Sequence, residues 1–504
     1  KLLADITETA LIAGAKTLQE FADASNDPFD GTKNRLGGGE GHMATLAYLK
    51  KELESVGDYY DIDISQKVDV DVVLVAEGSL TLDGKDQKVL PFQYSPSSPA
   101  AGVEGEVVVV KNYGCELTDF PAEVKGKIAL IERNRKCDFG MKCTNAGKAG
   151  AKGAIMYNNE PGQLKQAVLG PWDKYDTEKT GKTPYVPAIS VSQEQGVEIK
   201  EKIAAGGKVK AVIKTKGEMT KRSSHNVVAT SKCGSRDSVV VLGGHTDSVK
   251  EGPGINDNGS GIIALLETAK ALSKYNLKNA VRFGFWTAEE TDLMGSDAYI
   301  GATPEAELKA IRAYLNFDMI ASPNGVHGVY DADLDDFKPI ERWPVPPGSA
   351  PIEKFFQDFF RKYHKETHGK DEKYHAGAEL DANSDYEPFR ELMTIPIGGL
   401  DSGRDKKKTE AEAKLFGGTA GVAYDKNYHG KGDNFANLDK KAFVVNAKAI
   451  AASVVEFGQS FKLLPKASAR RDTDSRPAFV ASLKRGKTAH VTRGSVGCGR
   501  QGWA

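Results

Sequence analysis

Apolar residues recur at helical spacing through "KLLADITETALIAGAKTL" and "EGHMATLAYLKKELESVG", then alternate one by one through "YYDIDISQKVDVDVVLVAEGSLTL". The first pattern predicts amphipathic helices, the second a half-buried strand. From about Pro91 the texture changes to short β-rich runs, "GEVVVVKN", "GKIALIERN" and "KGAIMYNN", with a small-residue helix predicted over "KCTNAGKAGA". A strand, a helix and a strand in "VPAISVSQEQGVEIKEKIAAGGKVKAVIKT" close this stretch. Between Ser223 and about Phe461, buried strands such as "SVVVLGG", "NAVRFGFW" and "TIPIGGL" alternate with helical runs such as "GIIALLETAKALS", "PIEKFFQDFFRKYHKE" and "KAFVVNAKAIAASVVEFG". That alternation predicts an α/β domain of three layers, with a mixed, largely parallel sheet between helices. Residues 91–218 then read as a β-rich insertion into a domain built from 1–90 and 219–462. Function in such sheets gathers in the loops beyond the strand carboxyl ends.

Composition narrows the class. A chain of 504 residues, 40% hydrophobic and 27% charged, is too long for one core and too apolar for disorder. Lysine plus arginine number 68 against 69 acids, a net charge of -1, so no global field recommends nucleic acid or an anionic membrane as partner, and no obligate protein partner is expected. No run approaches the roughly 20 apolar residues of a membrane span. The first segment reads as a soluble helix, and with no initiating methionine a processed chain without a visible signal peptide is expected. Residues 463–504 form a basic tail with little apolar periodicity, expected to be disordered; from Pro465 it carries nine lysines and arginines against two aspartates. Of five cysteines, Cys115, Cys137 and Cys143 crowd one region, which permits a local disulfide in an oxidising compartment and equally fits buried, reduced thiols.

Candidate chemistry collects at the strand ends. In "LGGHTDSVKEGPGINDNGSG", His245 and Asp247 leave a buried strand, and Asp257 follows in the glycine-rich loop before a helix. A divalent metal needs several nitrogen and oxygen ligands converging from rigid elements, though a polar turn with helix capping fits this loop too. "NAVRFGFWTAEE" ends in Glu289 and Glu290, an acidic pair suited to one metal ligand and one general base, or to capping the next helix. "AYLNFDMI" sets Asp318 among apolar neighbours, where an unpaired charge costs several kcal/mol, so something cationic must compensate it. "YDKNYHGKGDNFANLD" adds Tyr428 and His429 before the last long helix. Two histidines, aspartates and a Glu-Glu pair at successive strand ends point together to a dinuclear metal site.

"HTDSVKEGPGINDNGSG", "TAEETDLMGSDAY", "NFDMIA" and "YHGKGD", in this order, resemble the motif series of co-catalytic zinc aminopeptidases of the leucine aminopeptidase and vacuolar aminopeptidase Y type. "VKGKIALIERNRKCDFGMKCTNAGKAGAKGAIMYNN" resembles the protease-associated (PA) domain that several of these enzymes carry as an insertion. The resemblance implies a zinc exopeptidase fold and two Zn2+ ions, one held by His245 and Asp318, the other by Glu290 and His429, with Asp257 bridging both. It implies that Glu289 is the base taking a proton from a metal-bridging water, that Asp247 holds the His245 ring, and that Tyr428 donates to the oxyanion. The implied substrates are peptide or protein N-termini, in a secreted or vacuolar setting. A cis peptide at Asp257–Asn258 and a Cys115–Cys137 pairing, with Cys143 and Cys233 as competitors, belong to the same inference.

Departures from the pattern carry their own expectations. Asn427 and Gly432 stand where related enzymes often have cysteines bracketing the Tyr-His pair, so the loop is expected to lack that brace. Asp401 in "IGGLDSG" stands where an apolar residue is expected beside the side-chain pocket, which suggests a preference for basic N-terminal residues. Asp385 and Phe389 in "NSDYEPF" are expected to support the substrate lobe. A carboxypeptidase or dipeptidase of the same fold would need a cationic cluster for the substrate carboxylate, for which Arg390 and Arg404 are candidates. An inactive receptor-like protein of this fold would have lost ligands, and here they are all present.

Overall fold

The computed structural model describes residues 1–27, 33–134, 136–164, 167–171, 184–338, 344–381 and 383–464. Most of the expected basic tail therefore lies outside the described residues. The chain forms two compact units, one made of Lys1–Val70 and the chain from Arg222 onward, the other of Asp71–Lys221. The β-rich unit thus opens before Pro91. Its boundaries fall inside two strands, Lys67–Leu82 and Lys210–His225. An alternating run carries no mark of where along it one core ends and the next begins.

In the larger unit eight strands lie in the order Tyr60–Asp63, Val227–Ser231, Asn279–Trp286, Ser235–His245, Ile311–Phe317, Ile397–Leu400, Gly328–Tyr330 and Ala376–Ala378. The four from Asn279–Trp286 to Ile397–Leu400 are mutually parallel, and the neighbours on both sides of them run antiparallel. Alternation along these strands feeds two cores. Val240, Leu242, Phe283, Phe285, Leu315 and Phe317 pack on one face, while Val239, Val241, Trp286 and Tyr314 pack on the other. Helices Glu8–Ala24, Glu40–Glu54, Gly261–Leu272 and Lys440–Gln459 supply the first core, and Met294–Ala302, Glu305–Ala310 and Glu387–Glu391 the second. The result is the expected three layers. At the N-terminus the predicted single helix breaks into Leu2–Asp5 and Glu8–Ala24, because the Thr7 hydroxyl caps the second by accepting from the Ala10 amide.

The smaller unit has its own sheet, with Val103–Val109, Ile128–Glu132, Gly153–Tyr157 and Ala188–Val191 parallel at its centre. Ile128 and Leu130 face one core, Ala129 and Ile131 the other. The small-residue helix is Phe139–Lys148. Cys115 and Cys137 form a disulfide, and Cys143 is a buried thiol pushed up to about 12 by burial. No described helix is long and apolar enough to cross a membrane.

Candidate metal centre

Four adjacent parallel strands place their carboxyl ends along one edge of the sheet. Register sets His245 opposite Trp286, Gly243 opposite Asn316, and Phe317 opposite Leu400. The next residues out are therefore Asp247, the Glu289–Glu290 pair, Asp318, and the loop with Asp401 and Arg404. Gly244 has to be glycine here: a Cβ would sit 2.7 Å from the Phe317 carbonyl and 2.9 Å from Asn258 Nδ2. That close approach lets Asn258 Nδ2 donate to the Phe317 carbonyl at 2.9 Å, tying the Asp257 loop to the Asp318 strand. The Asp257–Asn258 peptide is cis. Ala288, Met319 and His429 adopt positive φ of 55°, 50° and 56°, so uncommon backbone sits beside or at three of the candidate residues.

The side chains converge around Asp257, whose two oxygens face two different histidines. Oδ1 lies 3.2 Å from His245 Nε2, and Oδ2 lies 3.2 Å from His429 Nε2. His245 Nε2 is also 3.4 Å from Asp318 Oδ1 and 3.8 Å from Glu289 Oε2, and His429 Nε2 is 3.1 Å from Glu290 Oε2. Ligand atoms of His245, Asp257 and Glu290, and those of His245, Glu289 and Asp318, each fall within 4.8 Å of one another. Yet His245 Nε2, Asp257 Oδ2, Glu290 Oε1 and Asp318 Oδ1 are buried without a hydrogen-bond partner. Buried polar atoms are nearly always satisfied, so a convergent set of orphaned lone pairs is what a cation site looks like from the protein side. The donors present therefore fit divalent metal.

Electrostatics gives the same answer. Burial pushes the Glu289 carboxyl well above the usual range, and the charges of Glu290 and Asp318 add to the shift while His245 opposes it. Burial alone would lower His245 and His429, but the carboxylates facing them overcome it and hold both rings protonated well above ordinary histidine. Burial would also raise Asp257, and the two histidines drive it below the usual range instead. Asp247 Oδ1 lies 3.6 Å from His245 Nδ1 and accepts the Glu289 amide at 3.1 Å, joining the ring to the acid. Tyr428 stacks on His429 with ring centroids 3.8 Å apart.

Several supports were not apparent from residue type. Arg35, fully buried, donates to the carbonyls of Thr246, Pro253 and Gly254 and so clamps the loop between His245 and Asp257. Asp433 accepts the amides of Asn256 and Asp257 at 2.8 and 3.0 Å. Behind Asp318 a relay runs from Trp286 Nε1 to the Tyr314 hydroxyl, from that hydroxyl to Asn316, and from Asn316 Nδ2 to Ser384 Oγ, which donates to Asp318 Oδ2 at 2.8 Å. Phe389 stacks on Tyr314 at 3.8 Å and thus steadies this relay. Asp385 is buried, and its carboxyl is pushed up to about 7.

The cysteine brace is absent as expected, but an amide stands in for it, and the reading of Asp401 changes. The Tyr-His loop does not go unbraced: Asn427 Nδ2 donates to Asn437 Oδ1 at 2.6 Å, and a Cβ on Gly432 would lie 2.2 Å from Asn427 Oδ1. The amide fills the space in which cysteines would bridge. Asp401 is not an open acid for a basic side chain either. It is buried, its Oδ1 accepts the Gly403 amide at 2.7 Å, and its Oδ2 lies 3.3 Å from Arg404 Nε.

Comparison with known proteins agrees with this construction. Residues 226–454 match Peptidase family M28, and 103–199 match the PA domain. The probable leucine aminopeptidase 2 of Trichophyton verrucosum is 41% identical over 482 residues, covering 96% of this chain and 90% of its own length. That of Aspergillus fumigatus is 40% identical over 488 residues, covering 97% and 90%. Among solved structures, an aminopeptidase from Aneurinibacillus sp. strain AM-1 shares the fold with a TM-score of 0.70 at 23% identity, over 92% of this chain and 97% of that one. BSAP, a zinc aminopeptidase from Bacillus subtilis, does so with a TM-score of 0.56 at 23% identity, over 92% and 97%. The chain belongs to Peptidase family M28 and carries a PA domain.

Proposed function

We propose that this chain, an aminopeptidase of family M28, works with two zinc ions. His245 and Asp318 would hold one, Glu290 and His429 the other, and Asp257 would join them. The observation that carries this reading is the division of Asp257 itself, one oxygen toward His245 and the other toward His429. Held by these residues, zinc would supply a water with its pKa lowered toward about 7 and a Lewis acid for the scissile carbonyl.

The chain's own groups do the rest. With the charge of the cup's acids offset by bound cations, the Glu289 carboxylate would take a proton from the attacking water and deliver it to the leaving amine as the C–N bond breaks, and its buried setting, which favours the protonated form, would help it hold that proton between the two steps. Asp247 fixes the His245 ring and, through the Glu289 amide, the base. The Tyr428 hydroxyl, kept protonated by burial, donates to the oxyanion that forms on the carbonyl. The acids of the cup suit the cationic α-amine of a peptide N-terminus. The Cys115–Cys137 disulfide supports an oxidising setting, either extracellular or a vacuolar lumen.

Elemental analysis of the native protein, paired with hydrolysis of leucyl- and lysyl-p-nitroanilide before and after chelation, tests the proposal. About two zinc per chain and activity lost on chelation and restored by zinc are expected. Protein without metal, or activity indifferent to chelation, rules it out.

A further inference from the structure

The fourth parallel strand contributes no metal ligand, and the loop after it carries Arg404. Of the arginines around the cup, Arg35 is fully buried and donates to three carbonyls, and Arg390 is buried against Glu387. Arg404 differs. Its side chain keeps 16% exposure, and among the described residues nothing accepts an aligned hydrogen bond from its guanidinium, which offers five N–H donors.

Its position is nonetheless defined. Asp401 lies at the Nε edge at 3.3 Å, which leaves the terminal nitrogens toward the cup, with Nη2 3.9 Å from Asp318 Oδ2. That distance is beyond a hydrogen bond, and Ser384 already donates to the same oxygen. The Arg404 carbonyl accepts the Asp425 amide at 2.7 Å, fixing the residue against the segment that leads to Tyr428 and His429. The charges of Asp381 and Asp318 also act on the guanidinium, but with no aligned hydrogen bond to any of these acids its fork stays partly open and has the geometry to receive a carboxylate in two-pronged fashion.

We propose that Arg404 is a specificity-determining residue whose guanidinium receives a substrate carboxylate, supplied by an acidic N-terminal side chain or by the C-terminus of a dipeptide. Asp401 is its positioning partner. This rests on the aminopeptidase reading above and reverses the preference for basic residues that Asp401 suggests by itself.

Two isosteric substrate pairs test the assignment in the zinc-loaded enzyme: glutamyl- against glutaminyl-p-nitroanilide, and Leu-Gly against Leu-Gly-amide. Each pair differs only in one carboxylate. In Arg404→Gln the kcat/KM ratio of one pair should fall at least tenfold, with most of the change in KM. A fall in the first ratio identifies the N-terminal side chain as the source, a fall in the second the dipeptide C-terminus. Should Arg404→Gln not fold, Arg404→Lys keeps the charge without the fork and should still lower that ratio at least threefold. Ratios within about twofold of wild type in the folded variant overturn the assignment. They would do so with wild-type hydrolysis of leucyl-p-nitroanilide intact, whereas a wild-type protein inactive on every N-terminal substrate removes the aminopeptidase reading itself.

Discussion

The larger unit gathers acids in two places that look alike by distance. In the strand-end cup, His245, Glu289 and Asp318 bring ligand atoms within 4.8 Å, and so do Asp331, Asp333, Asp335 and Glu353 beyond the Gly328–Tyr330 strand. Their hydrogen bonding is opposite. Glu353 Oε2 accepts the Ala332 and Asp333 amides, and its Oε1 accepts from Gln357. Asp331 accepts the amides of Asp335 and Phe337. The second group is an acid-capped turn with its buried lone pairs engaged by backbone amides and the Gln357 side chain, whereas the cup leaves buried nitrogen and oxygen atoms unmet. Converging carboxylates do not by themselves mark a metal site; unmet donors among them, with histidine present, do.

The largest effect should come from breaking this contrast directly. Asp257→Asn removes the negative charge and turns one of the two oxygens that face the histidines into an amide nitrogen, so metal content should fall well below two per chain and hydrolysis should become undetectable. Asp333→Asn, in the other group, should retain both metals and activity within about twofold. Elemental analysis of the two variants side by side decides the matter, and a metal lost from Asp333→Asn would erase the distinction. Next in size is Glu289→Gln: if the residue moves a proton as proposed and holds no ion, the variant should lower kcat by about 10²- to 10⁴-fold while leaving metal content unchanged. If its metal content drops in step with activity, Glu289 is a ligand and not a base.

The cup was legible in the sequence because its chemistry is local to strand ends. A histidine after "SVVVLGG", an acidic pair after "FGFW" and an aspartate inside "LNFDMI" break otherwise buried runs, and the three-layer fold that sets them on one edge follows from the same runs. What holds the cup was not legible. Arg35 reaches carbonyls more than two hundred residues away, and an isolated arginine before a glycine-rich stretch has no local pattern that announces such a contact. Asp433 lies inside a quoted motif, but its acceptance of the Asn256 and Asp257 amides depends on two distant loops meeting. Asp401 could mislead because its neutralising partner, only three residues on, is brought round by a turn rather than by any periodic spacing.

A subtler consequence concerns protons. In the metal-free cup, facing carboxylates raise His245 and His429, the two proposed histidine ligands, well above ordinary histidine. Metal ligands must be deprotonated, so zinc uptake has to expel protons and affinity has to rise with pH. Calorimetric titration of the apoprotein with zinc near pH 7, in two buffers of different ionisation enthalpy, should show at least one proton released per chain. Identical heats in both buffers would mean that the cup stands ready and unprotonated, contrary to its electrostatics.

The smallest effect belongs to the other acid group. Burial lifts the Glu353 carboxyl to about 7, against two backbone amides that pull it down. Because its pKa in the fold is above the unfolded value of 4.5, the folded chain binds the extra proton. Its contribution is fully present below about pH 4.5 and is lost as pH rises through about 7. Glu353→Gln removes this titration while retaining an acceptor for the amides. Between pH 5 and 7.5 the wild-type Tm should therefore fall by about 1–2 °C more than that of the variant. Added calcium should leave both Tm values unchanged, since the buried oxygens of this group are already engaged. A calcium-dependent rise in the wild type that Glu353→Gln abolishes would show that backbone amides and a cation can share the same carboxylates, and the rule separating the two clusters would have to be redrawn.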